Sequence, residues 1–138
     1  MPELTVLAVR LSLLYLLIGF ALGAAILVNE AYPISARLWS FTKLHLDCLL
    51  LGFMVQLALG VAFWILPRFM KGAPRGKESI AWAALALLNA GIVLAGLASV
   101  IAIPWLEICG RVLEMAGGLL FLVHAWRRLY ASEVICRP

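Results

Sequence analysis

The sequence predicts an all-α integral membrane protein, one domain of four transmembrane helices packed as an antiparallel bundle. Three observations carry this. Hydrophobic residues make up 65% of the 138 positions and charged residues only 13%, whereas a soluble domain has about half and about a quarter. The charged residues are clustered, and the apolar runs between them are long enough to cross a bilayer. Lys and Arg are also divided unevenly between the two ends of those runs. Once the runs are assigned, no soluble domain of useful size remains, so any chemistry sits within the membrane or at its surface. The net charge of +4 comes from basic residues beside apolar segments. Topology accounts for it, and a nucleic-acid partner is not expected.

The first helix is expected over about residues 7–28. Its apolar stretch is about twice as long as a signal-peptide core, so it reads as a retained helix. It contains Gly19 and Gly23, a small-xxx-small pattern that admits a close neighbour. A polar connection with Pro33 and the aromatics Tyr32, Trp39 and Phe41 follows, and these rings suit a membrane interface. The second helix is expected over about 42–66, stopped by Pro67. A basic Gly/Pro loop then leads to a third helix over about 79–103, stopped by Pro104, and a fourth over about 105–126. The three cysteines, Cys48, Cys109 and Cys136, offer no disulfide framework.

Arg10, Arg68, Lys71, Arg75, Lys77, Arg127, Arg128 and Arg137 fall on one side, against Arg37 and Lys43 on the other, with Arg111 just inside the span. The positive-inside rule assigns the first set, and with it both termini, to the cytoplasm of a cell inner membrane.

Ionisable side chains within a span are costly and mark candidate functional positions. His45 and Asp47 open the second helix, and Glu107 and Arg111 open the fourth, all at one end. Glu107 and Arg111 are spaced i, i+4 and can pair. Gln56, Asn89 and Glu114 lie near the midplane. With Glu107 they read as a polar intramembrane cluster, serving either interhelical hydrogen bonding or proton or quinone handling. Glu114 is expected to bond Gln56 or Asn89. His45 by itself is equally an imidazole bonded to a backbone carbonyl or a cofactor ligand. His124 lies at the opposite end, too far away to share a metal with His45. Zinc is disfavoured, because the spacing of His45, Cys48 and Cys109 matches no zinc pattern.

One segment resembles a known family. Arg-Leu-Trp-Ser-Phe-Thr-Lys-Leu-His45-Leu-Asp-Cys-Leu-Leu-Leu-Gly52-Phe, followed by Gly60-Val-Ala-Phe-Trp-Ile-Leu-Pro67-Arg68, resembles the second helix of the catalytic subunit of the haem-copper oxidase superfamily. The nearest likeness is to its cbb3-type oxidase and nitric oxide reductase branch. The stretch Leu14-Tyr-Leu-Leu-Ile-Gly-Phe-Ala-Leu-Gly23 is similar to the helix before it. The resemblance implies that His45 is an axial ligand of a low-spin haem b. It also departs from the family: those subunits have about twelve helices, and the later ligands have no counterpart here. A proton-pumping oxidase is therefore excluded, and only the low-spin half-site is implied. A six-coordinate haem needs a second axial ligand, which a homodimer supplies from its own symmetry-related His45. Gly52 would bring the helices of such a dimer together. Arg111, Arg37 and Lys43 are the cations available to the haem propionates.

The function expected from these residues is haem b binding in electron transfer or diatomic-gas capture, as a homodimer or within a larger respiratory membrane complex. Whether a reaction is catalysed is left open. The alternative is a cofactor-free accessory or assembly subunit of such a complex. A small multidrug exporter is disfavoured, because the span of the first helix has no carboxylate.

Overall fold

The structure, a computed structural model, describes residues 1–66 and 76–135, with side chains through residue 129. Most of the basic loop after Pro67, together with Cys136 and Arg137, lies outside the described residues. Among those described there are four helices and no strands.

The first helix, Glu3–Ala31, starts directly after Pro2. It ends because Pro33 holds the residue before it extended: Tyr32 has φ −131° and ψ 99°. The second helix, Ala36–Ile65, starts earlier than residue 42. Ser35 caps it by accepting the Arg37 N–H, and its first six residues, Ala36–Phe41, form a tight 3-10 segment. An α stretch, Thr42–Asp47, then widens into a π segment, Cys48–Val55, before α geometry resumes at Gln56–Ile65. π turns are rare and recur at functional sites. Leu66, before Pro67, leaves the helix with ψ 142°.

The third helix, Glu78–Val100, stops short of residue 103. Ala102 adopts a left-handed φ of 58°, and the Ile103 N–H bonds back to the Ala98 carbonyl at 3.0 Å. This is the closure of a Schellman turn, made with alanine where glycine is usual. Pro104 then occupies the first position of the fourth helix, Pro104–Ile135, where its missing N–H costs nothing. That helix runs well past residue 126. Arg127 and Arg128 end the apolar run, but no Gly or Pro lies between them and Ile135 to break the helix.

Small residues set the pairing. Along the first and second helices, Gly60 lies against Ala8, Gly52 against Tyr15, Gly19 against Leu49, and Gly23 against His45, so early residues of one meet late residues of the other. Gly110 lies against Ala95 and Gly117 against Leu88, joining the fourth helix to the third. At one end Leu4, Ala8, Phe63, Ala81, Ala84, Leu85 and Phe121 form a core drawn from all four helices.

This packing leaves much apolar surface uncovered. Only 17% of the most apolar window of the first helix is buried. The first three helices are long and apolar enough to cross a membrane. The fourth carries Glu107, Arg111, Glu114, His124, Arg127 and Arg128 along its length.

Candidate functional site

The second and fourth helices are joined at one end by five charged side chains. Arg111 makes a bidentate pair with Asp47, Nη1 to Oδ1 at 2.8 Å and Nη2 to Oδ2 at 2.9 Å. The same guanidinium reaches both Glu114 oxygens at 3.1 and 3.2 Å, and Glu107 stands off at 4.0 Å. Lys43 holds Glu107 instead, at 2.8 and 3.1 Å. A planar fork that meets a carboxylate edge-on is the strongest geometry an ion pair has.

Two expectations are corrected here. Glu114 bonds neither Gln56 nor Asn89. Arg111, one turn before it on the same helix, reaches it first and carries the opposite charge. The four-residue polar cluster is also divided. Gln56 donates to the Ala8 carbonyl on the first helix at 3.4 Å, and Asn89 donates to Leu85 on its own helix at 2.8 Å. Glu107 and Glu114 belong to the charged group. The pairing of Glu107 with Arg111 is secondary to Asp47, a partner that lies 64 residues away in sequence.

His45 occupies a slot on the first helix. Its Nδ1 lies 2.8 Å from the Gly19 carbonyl oxygen. A carbonyl only accepts, so Nδ1 carries a proton, and in the neutral imidazole the lone pair is on Nε2. The ring edge rests on Gly23, where a Cβ would lie 2.6 Å from Cε1. The Gly19/Gly23 pair therefore serves the imidazole as well as helix packing. Gly52 faces Tyr15 inside the chain, so it does not present the surface for dimer contact expected of it. Leu46, Leu50, Met54 and Val55 are the exposed apolar residues on this part of the second helix.

The opposite end is built on Phe63, His124 and Arg128, the last lying beyond the 105–126 span expected for the fourth helix. Arg128 is 1% exposed. It donates to the Phe63 and Leu66 carbonyls, the last of the second helix, and lies over the Phe63 ring at 5.3 Å. His124 is buried and stacks on the same ring, 5.7 Å between centroids. Phe63 is 18 residues after His45, roughly 27 Å at the helical rise, so the two histidines sit at opposite ends. Asn29, also buried, accepts from the Ile34 and Ser35 N–H groups and shapes the first connection. Its position at a helix end before a proline was the available signal.

Among the described residues no three His, Cys, Asp or Glu side chains gather as a metal-ion set. A haem asks only for axial and propionate partners. An axial role for His45 would fall to Nε2, which faces Gly23, where a Cβ would lie 3.3 Å away. Arg111 and Lys43 are already paired with carboxylates, and Arg37 is exposed at the same end. No family model, curated protein or solved structure matches this chain.

Proposed function

We propose that the chain is a haem b-binding protein of the cell inner membrane, acting in electron transfer or diatomic-gas binding. It sits as an antiparallel four-helix bundle with both termini cytoplasmic. One observation supports the haem reading: the Gly19 carbonyl holds the proton of His45 on Nδ1, which in the neutral ring puts the lone pair on Nε2. Metal-bound histidines are commonly held by such a second bond, which sets the tautomer and orients the ring. The likeness of the second helix to haem-copper oxidases supports the same residue.

In this reading the bound haem supplies one-electron redox chemistry. The chain orients the imidazole, excludes water with the apolar first helix, and offers Arg37 to the propionates. A second copy of the chain would supply the other histidine to hold the haem, its own His45, with Leu46, Leu50 and Met54 as the apolar surface around it. Arg111 and Asp47 fasten the fourth helix to the second, which keeps His45 in register.

The test is an absorbance spectrum of protein purified with haem supplied. A Soret band with sharp reduced α and β bands is expected, and it should be lost in His45→Ala and retained in His124→Ala. Full haem content in His45→Ala overturns the assignment. The orientation is checked separately: a cysteine placed at Gly76 should resist an impermeant thiol reagent in intact cells.

A second reading is an accessory subunit without a cofactor. It is favoured by the internal pairing of Arg111 and Lys43, which removes two of the three cations proposed for the propionates. A flat spectrum in the wild-type protein selects it.

A further inference from the structure

A cavity of about 350 Å³ opens between the end of the first helix and the loop that follows it. Ligand sites span about 300–1,000 Å³, so this one suits a small molecule or a headgroup. It is separate from the His45 slot, since His45 does not line it. Its wall is fixed by one side chain. Asn29, 4% exposed, accepts the Ile34 and Ser35 N–H groups at 3.0 and 2.8 Å. These two bonds fold the loop back over the helix end, and Asn29, Ile34 and Ser35 all line the cavity.

Three lining residues carry recognition chemistry. The two N–H donors engage Asn29 Oδ1, so the amide nitrogen faces the other way as a donor. Among the described residues that nitrogen makes no hydrogen bond. It is also not enclosed, because the enclosed side-chain atoms without a partner are Gln56 Oε1 and His124 Nε2. On a residue so buried, the opening that reaches it is the cavity. Glu30 is the one ionisable residue lining the space, and it takes part in none of the ion pairs among the described residues. Trp39 is the one aromatic, half exposed. A carboxylate and an indole both attract a cation, and the amide nitrogen bonds an acceptor. A zwitterion supplies both.

The cation is narrowed further by its hydrogens. A carboxylate only accepts, and a primary ammonium donates three hydrogen bonds where a trimethylammonium donates none. A single indole is also short of the aromatic cage that quaternary ammonium groups use. The depth points to the source. The cavity begins where the apolar run ends at Val28, and Tyr32 and Trp39 beside it are exposed, as rings at a headgroup layer are.

We propose that this cavity binds the headgroup of a zwitterionic phospholipid with a primary ammonium, such as phosphatidylethanolamine, in the leaflet on the His45 side. The ammonium meets Glu30 and Trp39, and a phosphate oxygen accepts from the Asn29 amide nitrogen. A lipid held there fastens the turn whose Ser35 caps the second helix.

The lipid source rests on the membrane placement proposed above, and haem is not needed for it. The full chain, purified in detergent, is offered equal amounts of phosphatidylethanolamine, phosphatidylcholine and phosphatidylglycerol, and bound lipid is counted by native mass spectrometry. Phosphatidylethanolamine should be preferred over phosphatidylcholine by about tenfold, the worth of one hydrogen bond between charged groups. Glu30→Ala and Trp39→Leu should each lose the preference with helicity unchanged by circular dichroism, and Glu3→Ala, an exposed carboxylate at the opposite end, should keep it. Equal binding of the three lipids by the wild-type protein overturns the proposal, as does a preference retained in Glu30→Ala. Water-soluble phosphoethanolamine should displace the lipid only weakly, and displacement as effective as that by intact phosphatidylethanolamine overturns the lipid source. Carbonate extraction of membranes tests the placement separately, and the Soret band of the same sample reports on haem.

Discussion

Arg111 on the fourth helix meets Asp47 on the second through two parallel hydrogen bonds of 2.8 and 2.9 Å. This pair ties the two helical hairpins together at the His45 end. Asp47 is buried, so its removal leaves the guanidinium with Glu114 alone as a close carboxylate partner. Asp47→Asn should lower stability by about 1–3 kcal/mol, the cost of an unsatisfied buried group, read from thermal unfolding in detergent. Arg111→Lys should not substitute, since an ammonium cannot serve both carboxylates in a fork. An unchanged midpoint in both variants would remove the pair from the account of the fold.

The slot beneath His45 is narrow enough to probe with one residue. A Cβ at Gly23 would lie 2.6 Å from the ring, and Gly23→Val adds two more methyl groups there. The imidazole must rotate away and lose its Gly19 bond. On the haem-binding proposal, haem content in Gly23→Val should fall towards that of His45→Ala, measured as Soret absorbance per protein. Full haem content would mean that the slot does not position the ligand.

Ala102 sits at φ 58° in the turn between the third and fourth helices. Left-handed geometry costs a residue with a Cβ roughly 1–2 kcal/mol, and glycine avoids that cost. Ala102→Gly should therefore raise stability by about 1 kcal/mol. A lowered unfolding midpoint would contradict the turn geometry.

Arg127 and Arg128 are neighbours with opposite fates. Arg127 is exposed, whereas Arg128 is buried over Phe63 and caps the second helix. Arg128→Met should cost about 1–3 kcal/mol by stranding two carbonyls. Arg127→Met should stay within about 0.5 kcal/mol of wild type. Equal effects would show that the two arginines act only as surface charge.

The helical class and the approximate spans were legible in the sequence. Apolar runs, Pro33, Pro67 and Pro104 act through local chemistry, and each stops or starts a helix close to where it stands. His45 was legible as a candidate for the same reason: an imidazole in an apolar run stands out without knowledge of its neighbours. A bond to a backbone carbonyl was one of its two readings, and the structure shows it, but which carbonyl was not legible. Its bond to Gly19 joins residues 26 apart, and only the docking of the first two helices brings them together. Asp47 and Arg111, 64 residues apart, meet because the third helix packs against both the second and the fourth and brings their side chains within reach, and this contact displaced the nearer pairing with Glu107. Arg128 reads as one more tail charge until the end of the second helix is seen beneath it. Local sequence determined where the chain coils and where it turns. Partner choice among the polar groups was decided by tertiary structure, because a buried or half-buried charge pairs with whichever opposite charge the packing brings within reach.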